Sequence, residues 1–249
     1  MSSFKERIRK LSTEKSPLIL ANDYDTKRDL ESRTLGNIRT LSKHLCAIKF
    51  NFHHLLPLGQ KQITKINKAA HDSGLQTIAD IKLNDIGNTN LVAAQTLWDF
   101  GFDAIIVNPI MGPQSLEKLI ALAHKNKKGI ISLCHMSAPE ARVTYEMKVQ
   151  MESKKTHLYK LFLEWATKMR ADGIIVGATF PDIIKYCKQQ SDGKLNIYSP
   201  GIGTQGGDIQ NTMASGSDYL IVGRTILNSK NPRQAAQSLY GLARKNQAL

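Results

Sequence analysis

The sequence predicts an α/β protein, a closed (β/α)8 TIM barrel preceded by a short N-terminal helix. Short apolar runs of strand length alternate with amphipathic helical stretches, which gives eight strand–helix units of roughly thirty residues each. Several of the predicted strands are continuous apolar runs, as is typical of a parallel sheet that is covered on both faces. Eight such units favour barrel closure. An open, doubly wound sheet is the alternative, because periodicity alone does not show closure.

The first element is a helix over residues 4–14, in which Phe4, Ile8 and Leu11 lie on one side. The strands that follow are recognised as short apolar runs between polar or glycine-containing breaks. The predicted strands are 17–22, 45–50, 75–82, 103–107, 129–134, 173–176, 195–199 and 219–222.

The helices between these strands carry apolar residues at helical spacing. Gly74 and Gly101 each follow a helical stretch and predict its end, because glycine is favoured just after the last helical turn. Asn231 followed by Pro232 predicts the start of the final helix. The other predicted helices are 29–41, 60–73, 90–100, 113–124, 153–170, 181–189 and 208–215.

The chain is expected to form a single domain over residues 1–249, because no linker-like stretch rich in proline, glycine or serine divides it. The longest irregular segment is predicted at 136–152, between the fifth strand and its helix. A connection of this length is usually a lid or a binding loop.

The composition is basic, with 34 Lys and Arg against 21 Asp and Glu and a formal net charge of +13. This balance raises the question of nucleic acid, membrane or anionic substrates. The cations are scattered in short groups such as HKNKKG at 124–129, which are expected on solvated helix faces. No aromatic-rich basic motif accompanies them and no stretch approaches ~18 apolar residues, so neither a nucleic-acid partner nor a membrane partner is expected.

The cysteines predict neither a metal site nor a redox site. Cys46, Cys134 and Cys187 are far apart in the sequence and none belongs to a C-x-x-C pair. The N-terminal stretch lacks the apolar core of a signal peptide, so a cytoplasmic location is expected.

Charged residues stand at the ends of the first three predicted strands. Asp23, Lys49, Asp80 and Lys82 would converge at one barrel mouth, because parallel strands all end on the same side. Asp80 and Lys82 are two residues apart, so alternation along a strand predicts that they share a face. Neighbouring carboxylates and ammonium groups hold one another ionised, but buried ion pairs seldom add net stability. The array therefore predicts an active site, and a structural ion pair is the alternative.

A glycine-rich segment near the C-terminus predicts a phosphate site. Residues 199–208 read SPGIGTQGGD, after one predicted strand, and the next strand ends at Val222-Gly223-Arg224. Free backbone N–H groups and a helix N-terminus attract anions, and an arginine can form two parallel bonds to phosphate. Loops after strands seven and eight are the usual phosphate site of this fold. A merely flexible turn is the alternative.

These motifs together resemble the orotidine 5′-monophosphate decarboxylase family. LILAND, AIKF, IADIKLNDIGNTN, CHMS, SPGIGTQGGD and VGRTI occur in the family's order and span almost the whole chain. The resemblance implies a (β/α)8 barrel that forms a homodimer across the barrel mouths and uses no cofactor and no metal. It also implies decarboxylation of orotidine 5′-monophosphate to UMP and CO2 in de novo pyrimidine biosynthesis.

The resemblance assigns roles to individual residues. Lys82 would protonate the pyrimidine at C6, and Asp80 would lie beside the carboxylate that leaves. Lys49 and Asp85 would complete the charged array, with Asp85 supplied by the partner subunit. The remaining substrate contacts implied by the family are Asp23 and Lys49 at the ribose, Ile86 and Thr89 from the partner, Ser137 at the pyrimidine, and Pro200, Gly201, Gly203, Gln205, Gly223 and Arg224 at the phosphate side.

Two other functions fit parts of the sequence. A sugar-phosphate decarboxylase or synthase of the same superfamily would share the A-D-x-K-x-x-D strand, but would need Mg²⁺ and a carboxylate where this chain has Lys49. Residues 50–56 contain no carboxylate. A non-catalytic basic barrel that binds nucleic acid would leave the Asp–Lys array unexplained. His53, His54 and His135 are expected to be packed or solvated.

Overall fold

A computed structural model describes residues 2–25, 28–151 and 154–245. Within these ranges eight parallel strands close into a barrel, and two further strands form a separate antiparallel hairpin. The strands are β1 (Leu18–Ala21), β2 (Ala47–Asn51), β3 (Gln76–Leu83), β4 (Ala104–Val107), β5 (Gly129–His135), the hairpin strands β6 (Lys148–Met151) and β7 (Lys154–His157), β8 (Gly173–Val176), β9 (Asn196–Pro200) and β10 (Tyr219–Val222).

The barrel strands follow one another in chain order, apart from the hairpin between β5 and β8. β1 pairs with both β2 and β10, which closes the sheet. All four residues of β1, β4, β8 and β10 are buried, as the continuous apolar runs predict. The prediction of a closed barrel is confirmed, and the open doubly wound sheet is excluded.

The helices lie around the outside of the barrel or at its ends, and most of the predicted ones begin within two residues of their predicted start. They are α1 (Phe4–Glu14), α2 (Leu30–Leu41), α3 (Phe52–Leu55), α4 (Gln60–Asp72), α5 (Gly87–Asp99), α6 (Pro113–Lys125), α7 (Ala141–Thr144), α8 (Leu158–Lys168), α9 (Pro181–Gln190), α10 (Ile209–Ala214), α11 (Arg224–Leu227) and α12 (Pro232–Lys245). In the part of the chain that the structure describes, no helix has both the length and the apolar character needed to cross a bilayer.

Helix α1 packs against the end of the barrel where the strands begin. Ser3 caps it, since its hydroxyl accepts from the Glu6 amide while the Glu6 carboxylate accepts from the Ser3 amide. Phe4 and Ile8 are completely buried. A Cβ atom at Gly129, the first residue of β5, would lie 2.2 Å from the Phe4 ring, so only glycine allows this close approach.

The predicted helix 153–170 is wrong at its start. Residues 148–151 and 154–157 form the antiparallel hairpin, and α8 begins only at Leu158. The predicted first residue, Ser153, lies outside the described residues. Within the predicted irregular segment 136–152 the structure also contains α7 and β6, while Glu152 lies outside the described residues.

The predicted helix 90–100 begins earlier than expected. Ile86 has an extended backbone and α5 starts at Gly87, so Thr89 and Asn90 lie inside the first turn. The Asn90 side chain accepts from the Asp85 amide and donates to the Asp85 carbonyl oxygen, which fixes the loop between β3 and α5.

Candidate active site

A cavity of about 380 Å³ opens at the end of the barrel where the strands finish. Its floor is apolar and is formed by strand residues such as Ile106, Leu133, Ile175 and Ile221. Ten of the predicted site residues line it: Asp23, Lys49, Asp80, Lys82, Ser137, Pro200, Gly201, Gln205, Gly223 and Arg224. The strand ends therefore bring the predicted charged array and the predicted phosphate residues to one cavity.

The charged array forms a continuous chain of contacts. Lys49 Nζ donates to Asp80 Oδ2 at 2.9 Å, and Lys82 Nζ donates to Asp80 Oδ1 at 2.9 Å. Asp23 Oδ2 lies 3.9 Å from Lys49 Nζ. Asp80 thus stands between two ammonium groups, and each of its oxygens accepts from one of them.

Burial and neighbouring charge act in opposite directions on Asp80. Burial alone would raise the pKa of this carboxyl, but the ammonium groups of Lys49 and Lys82 reverse that effect and hold its pKa below the usual value. Asp80 is therefore ionised at neutral pH. The Lys49 side chain is only 3% exposed, whereas the Lys82 side chain is 42% exposed and faces the open cavity. Lys82 is the cation of this pair that a ligand can reach.

Lys82 adopts a backbone conformation that regular strand alternation does not provide. Its φ is +46°, in the left-handed region, and the pairing of β3 with β4 shifts register between Asp80 and Leu83. Left-handed backbone at a residue with a long side chain costs roughly 1–2 kcal/mol. The predicted shared face of Asp80 and Lys82 is correct, but an irregular strand end produces it.

The glycine-rich segment offers fewer free backbone amides than predicted. Three of its amides are used inside the loop, since Gly203 N donates to Gly207 O, Gly206 N to Gly203 O, and Gly207 N to Gly201 O. The expectation that these amides are free to face an anion is wrong. The helix N-terminus is also occupied, because the Asp208 carboxylate accepts from the Asn211 amide at the start of α10.

Side chains remain available for an anion at this side of the cavity. Gly201 has a φ of +96°, and a Cβ there would lie 2.7 Å from Gln205 Oε1 and 2.8 Å from Ser137 Cβ. This glycine therefore lets the side chains of Gln205 and Ser137 approach each other at the cavity wall. Among the described residues no carboxylate lies within 4 Å of the Arg224 guanidinium, which lines the same cavity. Arg224 is the unneutralised cation on the glycine side.

Four predicted site residues do not line the cavity of their own chain: Asp85, Ile86, Thr89 and Gly203. Asp85 and Ile86 line a separate concavity of about 730 Å³ together with Phe52 and Met111. The side chain of Ile86 is 74% exposed. Gly203 lies behind the wall, where a Cβ would collide with the Thr225 hydroxyl.

Several residues at the mouth were not predicted to belong to the site. Asn51 accepts a short hydrogen bond from Lys49 Nζ, and it lines the cavity with Asp25, His53 and Thr204. Asn51 could have been found, because it lies two residues after Lys49 on the same strand and therefore shares its face. Asp25 and Thr204 follow strand ends in loops, where the sequence carries no periodic signal, and His53 lies in the short helix α3, where it was expected only to be packed or solvated.

His135 is packed, as expected, and it joins the loop that follows β5 to the barrel. Its ring lies 4.4 Å from the Phe180 ring, between centroids, and is completely buried. Nδ1 lies 2.9 Å from the Met136 carbonyl oxygen and Nε2 lies 3.3 Å from Glu146 Oε1. The contact with Glu146 fixes the loop that follows β5 and holds Met136 and Ser137 at the cavity.

His54 is buried behind the end of β1. Its Nε2 lies 3.5 Å from Asn22 Nδ2 and 3.3 Å from Thr34 Oγ1, and its Nδ1 has no partner among the described residues. Burial, with a smaller contribution from His53 and Lys49, lowers the pKa of His54 from 6.5 to about 4. The folded protein therefore holds this imidazole neutral at pH values where the unfolded chain would protonate it.

We expect His54 to make the protein less stable in mild acid. Because the folded pKa is depressed, its contribution is complete above pH 6.5 and is lost as the pH falls towards 4, by up to about 3 kcal/mol. His54→Gln keeps a hydrogen-bond acceptor but does not titrate, so its unfolding free energy should depend less on pH. Urea unfolding at pH 7, 6 and 5 measures this, with His53→Gln as the exposed control. Parallel pH profiles for wild type and His54→Gln would contradict the assignment.

Comparison with known proteins gives consistent matches along almost the whole chain. The family model described as "Orotidine 5'-phosphate decarboxylase / HUMPS family" matches residues 16–239. A Thermococcus kodakarensis protein named orotidine 5′-phosphate decarboxylase is 36% identical over 228 residues, which covers 91% of this chain and 96% of that protein. A Pyrococcus abyssi protein of the same name is 34% identical, covering 90% of this chain and 97% of that protein.

A solved structure also matches. The orotidine 5′-monophosphate decarboxylase of Methanocaldococcus jannaschii, complexed with the inhibitor BMP, superposes with a TM-score of 0.77 at 27% identity. The match covers 91% of this chain and 97% of that chain. The barrel and the order of its elements are therefore those of an enzyme whose structure is known with an inhibitor.

Proposed function

The chain belongs to the orotidine 5′-phosphate decarboxylase / HUMPS family, and from that premise we propose that it decarboxylates orotidine 5′-monophosphate to UMP and CO2. In that role it would act in the cytoplasm, in de novo pyrimidine biosynthesis, as one barrel domain. The observation that carries the proposal is the pairing of Lys82 with Asp80 in the same cavity as Arg224. This substrate needs both a reaction centre and a phosphate anchor, and cations that could serve both roles line this one cavity.

Lys82 is proposed as the catalytic acid. When the bond between C6 and the carboxylate breaks, CO2 leaves and the electron pair stays on C6 of the pyrimidine. The ring carbonyl groups cannot delocalise this pair, so a fixed cation must stabilise it. Lys82 Nζ then transfers a proton to C6, which gives UMP and leaves a neutral amine to be reprotonated from solvent. Its exposure to the cavity and its bond to Asp80 support this role.

Asp80 and Lys49 are proposed to set the geometry and charge around Lys82. Asp80 is ionised and would lie beside the substrate carboxylate, where its charge opposes the ground state more than the transition state. It also holds the Lys82 ammonium in position. Lys49, itself held by Asn51 and Asp80, and Asp23 are proposed to bind the ribose hydroxyls.

The other side of the cavity is proposed to hold the pyrimidine edge and the phosphate. Ser137 would contact the base, and Gln205 and Arg224 would bind the 5′-phosphate beside Gly223. Pro200, Gly201 and Gly203 belong to the segment that would close over it. Phosphate binding is remote from the bond that breaks, so its free energy can be used to order the loops around the reacting atoms.

Arg224→Ala should therefore lower kcat/KM for orotidine 5′-monophosphate by on the order of 10²-fold, because one or two charge-assisted hydrogen bonds are lost. Initial rates followed by the loss of substrate absorbance measure the effect. Arg39→Ala, at an exposed position on α2, is the matched control. A change of less than about threefold in Arg224→Ala would remove Arg224 from the phosphate site.

The second candidate function is that of a sugar-phosphate decarboxylase or synthase. Such an enzyme would use Mg²⁺ to stabilise an enediolate. The second strand of this chain supplies an ammonium group, Lys49, where such an enzyme needs a carboxylate ligand, and Lys49 is already bonded to Asp80. A cation at that position repels a divalent metal.

We expect EDTA to leave the decarboxylation rate unchanged, because the proposed mechanism stabilises the electron pair on C6 with Lys82 instead of a metal. The measurement is the rate with orotidine 5′-monophosphate before and after dialysis against EDTA, with added Mg²⁺ as the comparison. Activity that is lost in EDTA and restored by Mg²⁺ would favour the second candidate function.

A homodimer with shared active sites is also proposed. The loop after β3 presents Asp85 on a concave, partly apolar face, and Ile86, Phe52 and Ile110 on or near it are more than half exposed. Exposed apolar groups of this kind are typical of a protein interface. In such a dimer Asp85, Ile86 and Thr89 of one subunit would complete the cavity of the other.

A further inference from the structure

A second cavity, of about 750 Å³, lies at the end of the barrel where the strands begin. Its walls come from the start of α1 and from the segments that lead into β5, β8 and β9. The catalytic mouth is formed where the same parallel strands end. The two cavities therefore lie at opposite ends of the barrel and share no residue.

This second cavity, the basal cavity, is lined by many cationic side chains. The HKNKKG segment places His124, Lys127 and Lys128 there. His124 and Lys127 are exposed, as expected from the sequence, and Lys128 is half-buried. Three other segments bring more cations to the same place. In all, six lysine and arginine side chains line the cavity: Lys5, Lys127, Lys128, Lys168, Arg170 and Lys194.

Few of these charges are neutralised locally. Asp172 is the carboxylate in the lining, and it is engaged, since its Oδ2 accepts from the Ile130 amide at 2.8 Å and lies 3.2 Å from His124 Nε2. In residues 2–25, 28–151 and 154–245 no carboxylate lies within 4 Å of Lys127, Lys168 or Arg170.

The remaining cations have partial partners. Lys5 Nζ donates to the Lys194 carbonyl oxygen at 2.5 Å, which leaves two of its three donors for a ligand. Lys128 Nζ donates to the Phe102 carbonyl oxygen at 2.6 Å. The Lys194 ammonium lies 3.6 Å from the exposed carboxylate of Asp192. A carbonyl oxygen satisfies a donor without removing the positive charge, so the charge of Lys5 and Lys128 persists.

Helix dipoles account for part of this charge and leave most of it unexplained. Helices α6 and α8 end beside the cavity, and basic side chains near a helix C-terminus are favourable. The two C-termini together are equivalent to about one negative charge. With Asp172 and Asp192 they offset about three of the six positive charges, so an excess of about three remains.

We propose that the basal cavity binds a small polyphosphate anion, such as the phosphate chain of a nucleoside triphosphate. Lysine and arginine side chains are the usual phosphate ligands, and the cavity volume lies within the usual range of roughly 300–1,000 Å³ for small-molecule sites. Because the mouth is at the other end of the barrel, this site can be filled while the mouth holds its own ligand.

The test is calorimetric titration of the full chain with sodium tripolyphosphate and with ATP at constant ionic strength. The double variant Lys168→Ala with Arg170→Ala should weaken binding of both at least about tenfold, because two charged contacts are lost. The double variant Arg39→Ala with Lys185→Ala removes the same charge from exposed positions outside the cavity and should bind as wild type does. Arg224→Ala, altered at the mouth, should also retain binding.

The relative affinities for ATP and tripolyphosphate identify the ligand, and the variants test its location. Tighter binding of ATP than of tripolyphosphate would support a nucleotide as the ligand, and equal binding would support recognition of the phosphate chain alone. Loss of binding in Arg224→Ala, or equal losses in the two double variants, would overturn the proposal. So would tighter binding of polyuridylic acid that depends on Lys168 and Arg170, since the face would then be a nucleic-acid surface. If that double variant does not fold, Lys127→Ala with Lys194→Ala addresses the same cavity.

Discussion

Lys82→Ala should abolish decarboxylation, with kcat reduced at least about 10⁴-fold. The substitution removes both the cation that stabilises the electron pair on C6 and the proton that reaches it, and each effect is typically worth 10²-fold or more. The assay is the loss of orotidine 5′-monophosphate absorbance with purified protein. The affinity for UMP should change much less, since UMP has no carboxylate and the proposed phosphate contacts, Gln205 and Arg224, are separate from Lys82.

Two further variants make this result specific. Lys82→Arg keeps the positive charge but cannot readily give up a proton, because the guanidinium pKa lies above about 12, so it too should be inactive. Lys185→Ala, at an exposed position on α9, should behave as wild type. If Lys82→Ala retained kcat within tenfold of wild type, the proposed mechanism would be wrong. Asp80→Ala retaining near-wild-type turnover would have the same consequence.

Mixing two inactive variants should restore activity if the active sites are shared. In a dimer of Lys82→Ala with Asp85→Ala, one site carries both defects and the other carries neither. After random exchange of subunits at equal concentrations half of the dimers are mixed, so about a quarter of the wild-type activity should return. Because neither variant alone should be active, this return of activity is the largest gain expected from the experiments proposed for this protein.

The control tests whether subunit exchange alone restores any activity. Two preparations of Lys82→Ala mixed in the same way should stay inactive, and sedimentation should show dimers throughout. An active monomer, or a mixture no more active than its parts, would remove Asp85 of the partner subunit from the proposed site. The barrel mouth of a single chain would then have to act without it.

The barrel was predictable because its strands are buried on both faces. Runs such as residues 173–176 and 219–222 are entirely apolar, and their observed bounds match the prediction. The hairpin was not predictable for the opposite reason. Its segments KVQM and KKTH are polar, and the described side chains of β6 are largely exposed, so no apolar alternation marks them as strands.

Some features of the site could be predicted from the sequence and others could not. The resemblance assigned ten residues that now line one cavity, but the backbone conformation of Lys82 depends on how β3 meets β4 and has no signature in the sequence. Glycine spacing alone could not show that the amides of Gly203 and Gly206 bond within their own loop. The basal cavity was also hidden, because its cations come from four segments that are distant in sequence.

The docking of α1 on β5 has a consequence for synthesis on the ribosome. Phe4 leaves the exit tunnel well before β5, yet its ring packs against Gly129, about 125 residues later in the chain. At about 5–20 residues per second this delay is roughly 6–25 s. During that interval the Phe4 ring lacks its native contact with β5, so the nascent chain exposes apolar surface to chaperones and to self-association.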